Sequence, residues 1–368
     1  MAVSARVPHP LPVRRRLRAV PAPHPLRVAV FTTSYPRDEH DFAGRFVSDL
    51  VTRLRDRGVE VEVVKPGDYH DFGLAYGAGL VRNVKRRPWA APLMLLSMLR
   101  ALRRAAKHAD LVHVHWLLAT PLALLSGRPF VVTLHGTPSA GSLEDLALLR
   151  RAGWLCGPLL RRARTVICVS QALADAVTAL GANAVVVPNG VDIPDHVVEE
   201  PAAGSVLFAG RLAEEKGIEE LVEATEGIDL VVAGDGPLRH LVPNALGMVP
   251  HAELERLYDS ASVFVLPSRS EGFGIVAAEA MAHGRPVVAC GVGGLAEVVA
   301  DGETGILVPP RRPDLLRAAL ERLLGDPELR GRLGRAARER AESRYSWDSV
   351  VARTIAVYEQ AVPAHATR

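Results

Sequence analysis

Short apolar runs alternate with longer segments of helical periodicity along most of this chain. In the first half the runs lie at 26–36, 59–67, 109–116, 129–136 and 164–170. In the second half they lie at 205–212, 228–236, 261–268, 285–290 and 304–310. Strands that alternate with helices form parallel sheets that are covered by helices on both faces. The predicted fold class is therefore α/β, with Rossmann-like, doubly wound parallel sheets.

The chain is long enough for two such sheets. Its 368 residues suit two domains of roughly 150 residues each, and the alternation restarts after a Pro- and acid-rich linker near 193–204. We predict one domain at 26–196, a second at 204–345, and a last helix at 346–362 that packs back on the first. Residues 1–25, rich in proline and arginine, are expected to be a disordered extension.

Composition excludes several classes of protein. A formal net charge of +3 does not favour a nucleic-acid partner. The cysteines Cys156, Cys168 and Cys290 are scattered and form no C-x-x-C pair, which suits a reducing cytoplasm and predicts no metal site. The first 25 residues lack the apolar core of a signal peptide, and the apolar runs are shorter than a membrane span. We therefore predict a cytoplasmic protein.

Two loops of the second half carry most of the chemical signal, because ligands of open α/β sheets bind beyond the carboxyl ends of the strands. The first loop, FAGRLAEEKG, places Arg211 and Lys216 just before a helix. Two cations beside a helix N-terminus suit a pyrophosphate. The alternative is a solvated charge pair, bridged to Glu214 or Glu215.

The second loop, PSRSEGFGIVAAEAMAHG, has one glutamate in the turn, Glu271, and another in the following helix, Glu279. Gly272 and Gly274 allow the backbone to approach a ligand closely. Since carboxylates accept hydrogen bonds from vicinal hydroxyls, the two glutamates could hold the two sugars of a nucleotide-sugar. The alternative, a helix charge on a solvated face, is weakened because Glu279 lies among Ala, Met and Val, where an unpaired charge is costly.

Taken in order, the motifs resemble those of glycosyltransferase family 4 ("glycosyl transferases group 1"), retaining enzymes of the two-domain GT-B fold. The resemblance covers roughly residues 26–362. It is carried by VPNGVD, FAGRLAEEKG, VVAGDGPLR, LYDSASVFVLPSRSEGFGIVAAEAMAHGRPVVA and GVGGLAEVVADGETGILVPP. The match is weaker in the first half, through TTSYPRDEHDFAGRFVSDLVTRLRDRGVEV, VHVHW and TLHGTP.

The resemblance implies a nucleotide-sugar donor site in the second domain and an acceptor site in the first. Arg211 and Lys216 would bind and stabilise the leaving diphosphate in place of a metal ion, so no cofactor is expected. Glu279 would hold the ribose and Glu271 the hexose, while His135 would reach the reacting sugar. The remaining donor contacts implied are Gly44, Gly272, Phe273, Gly274 and Ile275.

The reaction that this implies is metal-independent, front-face transfer of a hexosyl group, with retention, to an acceptor hydroxyl on a sugar, a lipid-linked acceptor or a cell-envelope or other polysaccharide glycan. One departure from the family pattern is Ala43 beside Gly44, where many relatives carry two glycines. Two alternatives stay open: a nucleotide-sugar epimerase and a non-catalytic nucleotide-sugar-binding protein. A dinucleotide-dependent oxidoreductase is excluded, because TTSYP rather than G-x-G-x-x-G follows the first strand.

Two features of the first domain concern the acceptor. His113 and His115 alternate along a strand, so at least one should be a satisfied buried residue, and His115 is the candidate for lining the acceptor cleft. The segment 81–107 combines basic residues with Trp and Leu. It is either an interfacial segment that contacts anionic lipid on the inner face of the plasma membrane or an ordinary helix with a solvated arginine face.

Overall fold

The structure is a computed structural model of the chain. It describes residues 25–37, 44–74, 80–136, 145–198 and 204–362. The predicted extension at 1–25, apart from residue 25, lies outside the described residues, as do Ala43 and part of the predicted linker.

The first sheet has six strands within the described residues, all parallel, in the order β2-β1-β3-β4-β5-β6. The strands are β1 (Arg27–Phe31), β2 (Glu60–Val64), β3 (Leu111–His115), β4 (Phe130–Leu134), β5 (Thr165–Cys168) and β6 (Ala184–Val186). Every residue of β3, β4 and β5 is buried, as expected for strands that are covered on both faces.

Helices follow the strands of this sheet. They are α1 (Arg45–Asp56), α2 (Leu80–Arg86), α3 (Ala90–Ala106), α4 (Thr120–Leu125), α5 (Asp145–Leu160) and α6 (Gln171–Ala179).

The second sheet is also parallel and has five strands in the described part of the chain, in the order β11-β10-β9-β7-β8. The strands are β7 (Val206–Ala209), β8 (Leu230–Ala233), β9 (Val263–Leu266), β10 (Val287–Cys290) and β11 (Gly305–Val308). The strand order reverses between β7 and β9, and such a reversal opens a crevice at the carboxyl ends of the two strands. The loops that follow β7 and β9 are those that carry the two sequence motifs.

The helices of the second half are α7 (Ile218–Ala224), α8 (His251–Ser260), α9 (Ile275–Ala282), α10 (Leu295–Val298), α11 (Pro313–Gly325), α12 (Pro327–Arg344) and α13 (Trp347–Ala361). The last of these, α13, returns to the first sheet. With α1 it covers one face, where Trp347 and Tyr358 join the core formed by Val28, Val30 and Leu54.

Several contacts join the two halves. The backbone N–H of Val191 donates to the carbonyl of Tyr345 at 2.8 Å, next to a parallel β-bridge between Val191 and Ser346. Farther along, the Glu297 carboxylate of α10 accepts from the backbone N–H groups of Gln171 at 2.6 Å and Ala172 at 3.1 Å. The first turn of α6 is therefore capped by a side chain from the other half of the molecule.

Candidate active site

The loops after β7 and β9 are packed against each other at backbone contact distance. Gly217 has a φ of +69°, and a Cβ atom there would lie 2.1 Å from the carbonyl oxygen of Pro267. Only glycine fits this close approach and this backbone conformation. The position of Lys216, the preceding residue, is consequently fixed relative to the second loop.

An ion pair crosses between these two loops. The Nζ of Lys216 lies 2.5 Å from the Oε2 of Glu271, and the two side chains are 18% and 6% exposed. Arg211 instead contacts Glu215 at 3.6 Å, with both side chains more than one-third exposed. Arg211 thus forms the solvated charge pair with Glu215 that was the alternative interpretation of this loop. Lys216 instead pairs with Glu271, a predicted site residue in the loop after β9.

Arg269 is the centre of a second, larger cluster that the sequence interpretation missed. Its guanidinium donates to Glu220 at 2.8 and 3.0 Å, to Glu219 at 2.6 Å and to Glu214 at 3.0 Å. The segment AEEKGIEE contains four glutamates and a single lysine. This excess of negative charge could have predicted a cationic partner from another part of the chain.

The glycine-rich turn leads directly into α9. Gly274 has a φ of +92° and immediately precedes the helix, whose first residue is Ile275. The Phe273 ring is 4% exposed and packs edge-on against Tyr345 with ring centroids 5.4 Å apart. Phe273 can therefore offer a ligand only its backbone.

Glu279 lies half-buried in α9 and accepts a hydrogen bond from the Tyr258 hydroxyl at 2.9 Å. Burial raises the pKa of this carboxyl to about 7, while the Tyr258 hydrogen bond and the charge of Arg45 act in the opposite direction. Arg45 belongs to α1, so Glu279 is influenced electrostatically by the first domain. Tyr258, more than 20 positions away in sequence, was not predicted.

The first domain presents His135 and Gly136 at the end of β4. A Cβ atom on Gly136 would lie 3.6 Å from the Cα of Gly272, so this loop faces the glycine-rich turn directly. Asp145 fixes the loop, because its carboxylate accepts from the backbone N–H of His135 at 2.9 Å and of Leu117 at 3.2 Å. The loops that carry His135 and Glu271 thus meet at the boundary between the two halves.

Three buried histidines lie side by side behind this loop: the ring centroids of His113 and His115 are 4.4 Å apart, and those of His115 and His135 are 5.2 Å apart. His113 bonds to the Tyr358 hydroxyl and to the Thr133 hydroxyl, each at 2.7 Å, which confirms that one of the two strand histidines is a satisfied buried residue. The Nδ1 of His115 lies 2.9 Å from the Nε2 of His135. Burial lowers the pKa of His135 to about 3 and that of His115 well below its ordinary value. Both imidazoles are therefore neutral at physiological pH.

Aromatic rings hold His135 in place. The ring centroids of Phe46 and Trp116 each lie 4.6 Å from that of His135. Phe46 is in the first turn of α1, two residues after Gly44, whose φ is +71°. A Cβ on Gly44 would lie 2.0 Å from the carbonyl oxygen of Ser34, so glycine is required for α1 to begin against the first loop. Among the described residues, no group of three or more His, Cys, Asp or Glu side chains could hold a metal ion.

Comparison with known proteins agrees with this geometry. The profile of "Glycosyl transferases group 1" matches residues 198–340, and that of "Glycosyltransferase Family 4" matches residues 43–194. A glycogen synthase of Mycobacterium tuberculosis is 34% identical over 68% of each chain. An alpha-maltose-1-phosphate synthase of Mycolicibacterium smegmatis is 31% identical, over 91% of this chain and 99% of that protein.

A solved structure shows the same arrangement of two sheets. Sucrose-phosphate synthase from Thermosynechococcus elongatus superposes with a TM-score of 0.72 at 26% identity, over 91% of this chain and 98% of that one. Profiles for both halves, relatives above 30% identity and a matching structure all agree with the two Rossmann-like sheets. This chain therefore belongs to glycosyltransferase family 4 and has the GT-B fold.

Proposed function

We propose that this protein is a retaining glycosyltransferase that moves a hexosyl group from a nucleoside-diphosphate sugar to an acceptor hydroxyl. One observation carries the proposal. The Lys216–Glu271 pair lies at the strand-order reversal of the second sheet, and the adjoining glycine-rich turn faces Gly136 and thus the His135 loop. This arrangement supports a site in which a cation would meet the leaving group and a carboxylate would meet the sugar hydroxyls.

The proposed donor would bind between the two halves in one orientation. The diphosphate would lie against Arg211, Lys216 and the backbone N–H groups around Phe273 and Gly274. The Glu279 carboxylate would accept hydrogen bonds from the ribose, and Glu271 from the hexose once Lys216 turns to the diphosphate. His135, being neutral, can exchange hydrogen bonds with a sugar hydroxyl without adding charge.

The proposed reaction needs no protein nucleophile or divalent cation. The acceptor oxygen forms a bond to the anomeric carbon on the face from which the diphosphate leaves. As the anomeric C–O bond breaks, its electron pair passes to the phosphate oxygen, which takes the acceptor proton. The negative charge that develops on the diphosphate is stabilised by Arg211 and Lys216, and fixed charges of this kind are usually the largest catalytic contribution.

A direct test is a screen of the purified protein against UDP-, GDP-, ADP- and dTDP-sugars in the presence of EDTA. We expect one donor to raise the melting temperature and to be hydrolysed slowly, and proton NMR of the released sugar should show the anomeric configuration of the donor. The Glu279→Ala variant should lose the thermal shift. If none of the donors binds, the proposal is wrong. If the sugar of the donor is converted without any acceptor or water, the epimerase alternative is favoured.

The acceptor side carries a second proposal: α3 and the residues before it rest on an anionic lipid surface. No helix within the described residues is long and apolar enough to cross a membrane. Trp89, Leu93 and Leu96 are nevertheless 63%, 45% and 43% exposed and recur at helical spacing on one side of α3. Exposed basic residues surround them: Lys85, Arg86, Arg87, Arg100, Arg103, Arg104 and Lys107.

The same surface contains a cavity that is lined by basic side chains. Arg103, Arg104, Lys107 and Arg128 line a cavity of about 440 Å³. Apolar side chains that could enter a bilayer thus stand beside cations that could bind lipid phosphates, the combination typical of an interfacial helix. A lipid-linked acceptor would be brought to the cleft by this contact.

Charge reversal tests the membrane contact. Reversing Lys85, Arg86 and Arg87 to glutamate should weaken binding to phosphatidylglycerol vesicles by about 100-fold or more, since each cation near such a surface contributes roughly 1 kcal/mol. The matched control reverses the exposed Arg322, Arg332 and Arg335 of α11 and α12, which should leave binding nearly unchanged. Flotation with vesicles that is equal for the two triple variants would refute the contact.

A further inference from the structure

Arg269 connects the loop after β7 to the loop after β9, the two loops to which most donor contacts are assigned. Its backbone N–H donates to the carbonyl of Glu215 at 2.9 Å, so the loop after β9 is hydrogen-bonded to the loop after β7. Its side chain then reaches Glu219 and Glu220 in the first turn of α7. Because Glu271 lies two residues farther on, any shift of Arg269 also shifts the carboxylate that pairs with Lys216.

The Arg269 guanidinium is largely buried and forms a bidentate ion pair. Its side chain is 17% exposed, and Glu220 receives two of its N–H groups and is 7% exposed. A bidentate arginine–carboxylate pair fixes both direction and distance. Glu214 and Glu219 are 73% and 55% exposed, and Arg269 holds both carboxylates at its own nitrogens.

The charges of the segment that precedes and begins α7 show why Arg269 is needed there. The segment 211–220 contains two cations, Arg211 and Lys216, and four glutamates. A diphosphate placed on those cations would be repelled by the four carboxylates, and the same carboxylates could pair with the cations themselves. Three of the four are bound by Arg269, while Glu215 alone contacts Arg211, at 3.6 Å.

We infer that Arg269 is a positioning residue of the diphosphate site: it sequesters three glutamates from Arg211 and Lys216 and joins the two loops that hold the donor. This inference rests on the proposed function, because it assumes that a diphosphate occupies the site. Arg269 itself need not touch the donor.

The test compares charged and uncharged ligands of the Arg269→Met variant. Dissociation constants are measured for UDP, GDP, ADP and dTDP and for the four corresponding nucleosides, with the Arg312→Met variant as control, since Arg312 pairs with Asp314 elsewhere in the same domain. We expect the diphosphate that the wild type binds to bind about tenfold more weakly or worse, because the freed carboxylates lie near its charges. The affinity for the nucleoside should change by no more than about twofold.

A rescue experiment separates this role from a merely structural one. Adding Glu214→Gln and Glu219→Gln to the Arg269→Met variant should restore most of the lost diphosphate affinity, since the competing charges are gone. Equal losses for nucleoside and diphosphate, without rescue, would show that Arg269 only maintains the fold of the loops and would overturn the inference.

Three further outcomes are informative. If Arg269→Met does not fold, the same comparison is made with Arg269→Lys, which keeps the charge but cannot bind three carboxylates at once; wild-type affinity in that variant would overturn the inference. If the wild type binds none of the four diphosphates, the proposed function fails and this inference falls with it. If the wild type binds one of them and Arg269→Met binds it equally well, only the role of Arg269 is refuted.

Discussion

Replacing Lys216 by alanine is expected to reduce kcat for sugar transfer by about 100- to 1,000-fold, the usual effect of removing one fixed donor from a developing negative charge. The physical reason is the position of its ammonium group, which Gly217 fixes against the second loop and which is only 18% exposed. Water cannot replace a cation at such a site without reorganisation. The measurement is a steady-state assay with the donor found in the ligand screen.

The same substitution leaves Glu271 as a buried carboxylate without its cationic partner, and that alone could disturb the site. The double variant Lys216→Ala/Glu271→Gln distinguishes the two effects. If Lys216 stabilises the leaving diphosphate, the double variant stays as slow as Lys216→Ala or becomes slower. Recovery of activity in the double variant would mean that Lys216 serves mainly to neutralise Glu271. Arg312→Ala, which breaks an exposed pair with Asp314, provides the control for a lost surface cation.

Glu279→Gln is expected to stabilise the protein and to weaken its binding of nucleotide. Burial raises the pKa of Glu279 from 4.5 to about 7, so the folded state retains this proton over a pH range in which the unfolded state has released it. The contribution of Glu279 to the free energy of unfolding therefore falls as the pH rises from about 4.5 to about 7 and stays low above that. Glutamine keeps the hydrogen bond from Tyr258 and cannot ionise.

We accordingly expect Glu279→Gln to be more stable than the wild type above pH 7, by at most about 3 kcal/mol, with the difference vanishing below about pH 4.5. Urea unfolding of both proteins across this range gives the difference directly. The buried histidines, whose depressed pKa values make stability fall as the pH drops below their ordinary 6.5, affect both proteins alike and cancel.

Glu279→Gln is expected to weaken nucleotide binding although it stabilises the fold. In the proposed donor complex the ionised carboxylate would accept hydrogen bonds from two ribose hydroxyls, and hydrogen bonds to charged groups contribute about 1.5–3 kcal/mol. Nucleoside diphosphate affinity should therefore fall at least about tenfold in Glu279→Gln, and in the wild type it should rise as the pH passes through about 7. Unchanged affinity together with unchanged stability would show that Glu279 is an ordinary structural residue.

The sequence predicted the fold class well because strands buried on both faces are nearly continuous apolar runs. Their boundaries were less accurate: the run at 59–67 contains a strand only at Glu60–Val64. A strand ends where its hydrogen-bonded neighbour ends, and that depends on the rest of the sheet. The rule that ligands bind at carboxyl ends of strands selected Lys216 and Glu271, which the structure places in contact; their roles toward a donor stay a prediction.

The missed residues share one property, which is that their partners are distant in sequence. Arg269 binds Glu220 across 49 positions, and Tyr258 reaches Glu279 across 21. Periodicity and local motifs carry no information on such pairs, because folding alone brings them together. Asp145, which holds the His135 loop through backbone N–H groups, follows no motif at all, since any acceptor at that point could serve.

The chain passes between the two halves twice, near Val191 and near Tyr345, and the two segments are hydrogen-bonded to each other. This pairing limits how the two halves can move relative to each other. Two adjacent chain segments joined by a hydrogen bond of 2.8 Å bend readily about an axis that passes through both, whereas a twist would pull them apart. Rotation about a few such residues is how domains usually hinge. The two halves should consequently rotate about a single hinge axis, without twisting about other axes. The loops that face each other would then return to the same relative position each time the domains close.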